Sequence, residues 1–166
     1  ACIVSDTLQF RSPTTTEYDK EVALKLEQIS GENMNDLATA MFAAKSDLST
    51  LSIKEILLAD HKDFDFSGKK YKLAVLETTD PMQALSKMTE LKAEMVKVKE
   101  EGNLEGVFLF VVDIINLEAK LLVNTDEEKA IAERAFGKQW DGDYLTLPGV
   151  VSRKKQIAPK IEKAVM

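Results

Sequence analysis

Residues 107–112 read Val-Phe-Leu-Phe-Val-Val, an unbroken apolar run. It constrains the chain more than any other feature. Successive side chains of a strand point to opposite faces, so a run that is apolar at every position predicts a strand buried on both sides. Residues 117–123 predict its neighbour, and residues 144–147 a further short strand. Residues 70–78 alternate as a strand should, with Leu73 and Val75 sharing one face and Ala74 and Leu76 the other.

Between these runs lie helix signals. Thr14-Thr15-Thr16-Glu17 reads as a capping box that opens a helix. Val22, Leu26 and Ile29 give that helix an apolar stripe, and Gly31 closes it. A second helix is expected over residues 34–44, followed by a short polar linker at residues 45–50. Ser52 with Glu55 caps a short helix through Leu58. Asp80 and Pro81 supply an N-cap and a first-turn proline to one helix carrying Ala84, Met88, Leu91, Met95 and Val98, which ends near Gly102. Thr125 and Glu128 cap another, ended by Gly137. Strands interleaved with amphipathic helices make the fold class α/β.

Composition narrows the function. With 45% hydrophobic and 30% charged residues the chain is globular rather than disordered. A net charge of −6 argues against nucleic acid as a partner, because that needs a basic face; a local pocket for a small anion stays open. Cys2 is the only cysteine, so no intrachain disulfide forms and a reducing cytoplasm is expected. The longest apolar run, residues 107–115, contains Asp113 and is too short to span a membrane. The opening Ala-Cys-Ile-Val-Ser-Asp shows no signal peptide. Cys2-Ile3-Val4 reads as a short buried strand with no lead-in, as in a piece of a longer protein. Removal of an initiator methionine before Ala1 is the other reading.

The strongest local signal is Gly149-Val150-Val151-Ser152-Arg153-Lys154-Lys155-Gln156. A glycine turn leads to a serine able to cap a helix, and three cations follow. Bases repel the positive end of a helix dipole unless an anion neutralises them. Backbone N–H groups, Ser152 and Arg153 would cradle a phosphate; a solvated basic turn is the plain alternative. Asp6 follows the apolar Ile3-Val4, and a carboxylate at the end of a parallel strand is where α/β proteins place ligands; an N-cap or turn aspartate is the alternative. Lys62 lies between a helix and a strand, flanked by acids as surface lysines are. His61 is the only histidine, so a typical transition-metal site cannot be built from this chain alone.

Together these segments resemble the family II (manganese-dependent) inorganic pyrophosphatases of the DHH phosphoesterase superfamily. Ser5-Asp6-Thr7-Leu8 with Phe10-Arg11-Ser12-Pro13-Thr14 is similar to the end of that family's metal-binding domain. Leu58-Ala59-Asp60-His61-Lys62-Asp63-Phe64 is similar to a lysine-bearing segment of its substrate domain, and the basic turn to its closing signature. The order and spacing agree along the whole chain.

The resemblance implies a fold and a reaction. Residues 1–46 would be the tail of a parallel-sheet metal domain. Residues 47–166 would be the DHH-associated substrate domain, a mixed sheet with flanking helices. The parent enzyme would hydrolyse pyrophosphate to two phosphates, with Mn²⁺ or Co²⁺ ions activating water and Mg²⁺ on the substrate. Asp6 would be a metal ligand, and Lys62, Arg153 and Lys154 would grip pyrophosphate. The other metal ligands, including the Asp-His-His motif, would lie upstream in the amino-terminal DHH domain, so this chain alone is expected to be inactive. A homodimer of the parent enzyme is a further partner that this resemblance leaves open. Ala59, His61 and Thr15 depart from the commoner family residues. The rival readings are an exopolyphosphatase of the same superfamily and a non-catalytic phosphate- or nucleotide-binding module.

Overall fold

A computed structural model describes residues 1–140 and 142–166, with Lys45 by its backbone alone. The described residues fall into two units, Ala1–Asp47 and Leu48–Met166.

The first unit is helical: α1 (Cys2–Asp6), α2 (Glu17–Ser30) and α3 (Met34–Lys45). The strand expected at Cys2-Ile3-Val4 is therefore a helical turn. A strand needs a neighbour to pair its backbone, and this unit has no strand among its described residues. The segment closes its own bonds instead, Ser5 N donating to Ala1 O and Thr7 N to Ile3 O, both at 3.0 Å. Helix α2 opens with a capping box, but two residues later than the sequence suggested. Thr16 caps Asp19, and the Asp19 carboxylate accepts from Thr16 N. The expected stripe on α2 is also displaced. Ala23 is its buried residue, whereas Leu26 is 51% and Ile29 81% exposed. A unit of this size, with no strand of its own among the described residues, cannot by itself cover every apolar side chain it carries.

The second unit begins with α4 (Ile53–Leu57), capped by Ser52 and Glu55 as expected. Hydrogen bonds from the Ser52 hydroxyl, then its backbone, hold the Glu55 carboxyl below the usual carboxylate range. Leu48, inside the segment read as a linker, is fully buried in this unit's core. A five-stranded mixed sheet follows: β1 (His61–Phe66), β2 (Lys69–Thr78), β3 (Gly106–Asp113), β4 (Glu118–Leu122) and β5 (Leu145–Pro148), in spatial order β1-β2-β3-β4-β5. Strands β2 and β3 are parallel; the other neighbours are antiparallel. A parallel pair requires a crossover, supplied by α5 (Pro81–Leu85) and α6 (Met88–Glu101).

The sequence suggested one helix where α5 and α6 stand. The break falls at Ser86, whose hydroxyl donates to Gln83 O at 2.8 Å, while Lys87 N tightens onto Ala84 O at 3.0 Å. A serine that bonds its own backbone competes with helix continuation. The apolar spacing survives the break, and Ala84, Leu91, Met95 and Val98 are all buried.

All eight residues of β3 are buried. Ala74 pairs with Leu109 and Leu76 with Val111 across the parallel register, and these join Ile56, Leu57, Leu91 and Met95 in one apolar cluster. Leu73, Val75, Phe108 and Phe110 alternate onto the other face. There Phe110 meets Phe136 of α7 (Asp126–Phe136) edge-on, with ring centroids 6.0 Å apart. Each such side chain stabilises the fold by roughly 1.5–3 kcal/mol. Glu128, read as part of a helix cap, does more than cap. It is 2% exposed and accepts from Thr125 N, Asn124 N and Val107 N, with Lys99 Nζ as its ion partner. The chain ends in α8 (Ala158–Val165). Among the described residues no helix is long and apolar enough to cross a membrane.

Candidate functional site

The register fixes what meets at one end of the sheet. Thr78 and Asp113 close the parallel pair, Glu118 opens β4 opposite Asp113, and Pro148 ends β5 opposite Glu118. On the other edge β1 starts with His61 opposite Ala74, and Val75 N bonds Asp60 O at 2.7 Å, which extends that ladder by one residue. The start of β1 and the exit of β5 therefore lie toward the same end of the sheet, the one at which β2 and β3 have their carboxyl ends. Ligands of α/β proteins bind at such an end.

The sequence placed Lys62 between a helix and a strand; the structure places it within edge strand β1. That strand escaped prediction because its exposed positions carry His61, Lys62, Asp63 and Asp65, so it lacks an apolar run. Charged residues suit an edge that must not recruit another strand. Ser67 and Gly68, with φ of 56° and 78°, close the hairpin to β2. The Lys62 ammonium lies 5.5 Å from the Phe64 ring centre, two residues along on the same face. Asp63 points to the opposite face and pairs with Lys72. His61 is exposed and its Nδ1 bonds Leu58 O at 2.9 Å.

After β5 the chain turns at Gly149, whose φ of 75° is left-handed backbone open to glycine at no steric cost. Gly149 N bonds Leu117 O at 2.7 Å, and Val150, Val151 and Ser152 are buried. Arg153–Ile157 then forms a π-helical turn, in which Ile157 N reaches back five residues to Ser152 O. Pro159, in the first turn of α8, lacks the N–H that an α-helical bond to Lys155 O would need, and its ring crowds that carbonyl. Widening the preceding turn accommodates it. Such π turns recur at functional sites.

The cradle differs in its parts from the sequence reading. The Ser152 hydroxyl accepts from Lys155 N at 3.3 Å. Gln156 Oε1 accepts from Val151 N and Ser152 N, both at 2.9 Å, and its Nε2 donates to Gly149 O at 2.7 Å. Ser152 is thus committed to shaping the turn. The backbone N–H groups of Arg153 and Lys154 are the ones left without a partner among the described residues. Gln156 is the residue that sequence reasoning missed. Its signal is a capping box stretched by one position, Ser152 to Gln156, which the π turn demands.

The structure brings Arg153 to the start of β1. Its Nη1 lies 2.9 Å from Asp60 Oδ1, with the arginine side chain 21% and the aspartate 62% exposed. The angle falls outside that of a hydrogen bond, and Nη1 is screened from solvent with no hydrogen-bond partner among the described residues. Because β1 and β5 are opposite edges of a five-stranded sheet, four strand spacings of roughly 4.8 Å separate them. Residues 149–152 and the Arg153 side chain bridge that width. Lys154 is exposed and has no partner among the described residues.

Asp6 is exposed at the last position of α1, not at the end of a strand, and belongs to the first unit. Among the described residues no three His, Cys, Asp or Glu side chains lie close enough to hold a metal ion. These residues therefore do not compose a manganese site. The chemistry that the chain's own cations offer is the binding of an anion.

The profile of the DHHA2 domain matches residues 39–164. The chain belongs to the DHHA2 domain family. Relatives of this DHHA2 chain include the "probable manganese-dependent inorganic pyrophosphatase" of Archaeoglobus fulgidus, 42% identical over 163 residues, covering 98% of this chain and 50% of the relative. The manganese-dependent inorganic pyrophosphatase of Methanocaldococcus jannaschii is 39% identical over 166 residues, covering 99% and 53%. A crystal structure of a Methanococcus jannaschii protein, proposed there to be a family II inorganic pyrophosphatase, superposes with a TM-score of 0.87 at 35% identity, covering 98% of this chain and 52% of that one. The DHHA2 chain spans about half the length of the curated relatives it matches.

Proposed function

We propose that this chain is the carboxy-terminal, substrate-binding part of a manganese-dependent inorganic pyrophosphatase. The observation that carries the reading is the basic turn at Arg153 and Lys154, docked beside the lysine-bearing edge strand in a chain similar along its length to such enzymes. Lys62, Arg153 and Lys154 hold the pyrophosphate: arginine bonds two oxygens in one plane, and the lysines add charge. Residues 1–46 belong to a metal-binding domain whose other part lies outside this chain, and residues 47–166 are the substrate domain. Asp6 contributes one carboxylate to a manganese site completed by that other part, with Mg²⁺ arriving on the substrate. The longer enzyme is cytoplasmic, in keeping with a single cysteine, and pairs as a homodimer.

The 166-residue chain is expected to bind pyrophosphate in calorimetric titration and to leave it uncleaved in the presence of Mn²⁺. Turnover in the ordinary enzymatic range of roughly 1–1000 per second would show the chain to be self-sufficient. Absence of binding would remove Lys62, Arg153 and Lys154 from the substrate. In the longer enzyme, Asp6→Ala is expected to weaken Mn²⁺ binding, while the same change in the 166-residue chain leaves its stability unaltered. Unchanged metal affinity would return Asp6 to a helix-end residue. Sedimentation of the longer enzyme reads its oligomeric state. Preferential cleavage of longer polyphosphates would move the assignment to an exopolyphosphatase.

A further inference from the structure

We propose that Asp60 is a positioning residue for Arg153: it holds the guanidinium by Nη1 so that the Nε–Nη2 edge stays open for two oxygens of pyrophosphate. This rests on the reading that the basic turn binds pyrophosphate, and extends it to a residue of opposite charge.

Three observations support it. Asp60 is fixed by its backbone, since Val75 N bonds Asp60 O at 2.7 Å and ties the residue to β2. Its carboxylate stands 2.9 Å from Nη1, the nitrogen that is shielded from solvent, while Nε and Nη2 have no partner among the described residues. Finally, Asp60 and Lys62 are two residues apart on one ladder, so their side chains share a face at a spacing of roughly 7 Å. A guanidinium held by Asp60 is thereby brought to the face that carries the Lys62 ammonium, although the two cations belong to opposite edges of the sheet. Without a holder, those cations would repel one another and the arginine would sample many rotamers.

The sign of the effect separates this role from simple proximity. A carboxylate near an anion site repels the anion, so deleting it should tighten binding if Asp60 is only a neighbour. If Asp60 positions Arg153, deleting it frees a flexible side chain that must be ordered again on binding, an expected weakening of about two- to tenfold. Asp60 is 62% exposed, so Asp60→Ala should leave the fold intact.

The experiment is calorimetric titration of the 166-residue chain with pyrophosphate, using wild type, Asp60→Ala, Asp60→Asn, Arg153→Ala and the Asp60→Ala/Arg153→Ala double variant. Asp60→Ala should weaken binding, Asp60→Asn should weaken it about as much because the contact is one of charge and not a hydrogen bond, and Asp60→Ala should cost nothing once Arg153 is gone. Tighter or unchanged binding in Asp60→Ala overturns the proposal while leaving the pyrophosphate reading in place. So does an equal loss in the Arg153→Ala background, because it assigns Asp60 to the fold. Failure of the wild type to bind pyrophosphate overturns both.

Discussion

Arg153→Ala in the longer, metal-complete enzyme is expected to lower the rate of pyrophosphate hydrolysis by about 10- to 150-fold. That range corresponds to the roughly 1.5–3 kcal/mol of a hydrogen bond to a charged group. Arg153→Lys keeps the charge but offers a single point donor in place of a planar fork, so it should lose activity too, by less than alanine. The lysine ammonium would also sit differently against Asp60, which now holds Nη1 at 2.9 Å. Lys155→Ala should cost much less, because Lys155 lies one step beyond the proposed substrate-binding pair. Steady-state phosphate release at saturating Mn²⁺ compares the three. Wild-type behaviour of all three would make the turn a solvated basic surface.

Gln156→Ala is expected to destabilise the chain by about 2–3 kcal/mol, on the order of 1 kcal/mol for each hydrogen bond removed. Its side chain makes three bonds, to Val151 N, Ser152 N and Gly149 O. The residues it serves include Val151 and Ser152, which are buried. Two backbone donors would lose their partner there, and buried donors left alone carry most of such a cost. Urea unfolding measures the loss. Pyrophosphate titration of the same variant should show weaker binding, because the turn that presents Arg153 loses its shape. An unchanged unfolding midpoint would mean that water replaces the glutamine side chain.

The sheet was largely legible in the sequence because its central strands obey simple rules. Residues 107–112 carry no polar side chain, and residues 70–78 alternate apolar residues on two faces that are both covered. Ser52 with Glu55, Thr125 with Glu128, and Asp80 before Pro81 also formed their caps where the residues stood. Elements whose form depends on a neighbour were less legible. Cys2-Ile3-Val4 has strand-like residues, but its own unit has no strand among the described residues to pair with, and so it coils into α1. Strand β1 is the converse case: charged, yet held by its register with β2.

The candidate site divides in the same way. Arg153 and Lys154 announced themselves as cations misplaced at a helix start, a conflict visible in one dimension. Asp60 did not, because its meaning is a meeting with Arg153 across the width of the sheet. Gln156 stayed hidden because a standard capping box puts its second member three residues after the first, whereas the π turn moves it to four.

That wider turn also fixes the register of everything after it. An α-helix advances 100° per residue, so deleting one residue between Ser152 and Pro159 would rotate the arginine away from Asp60, or else swing Ile157 and Ile161 off the core they now fill. Substitution within this stretch acts one position at a time, heavily at Arg153 and Gln156 and lightly at Lys155; a change of length acts on all of them at once. The spacing from Ser152 to Pro159 is the ruler against which the basic turn and the final helix are both cut.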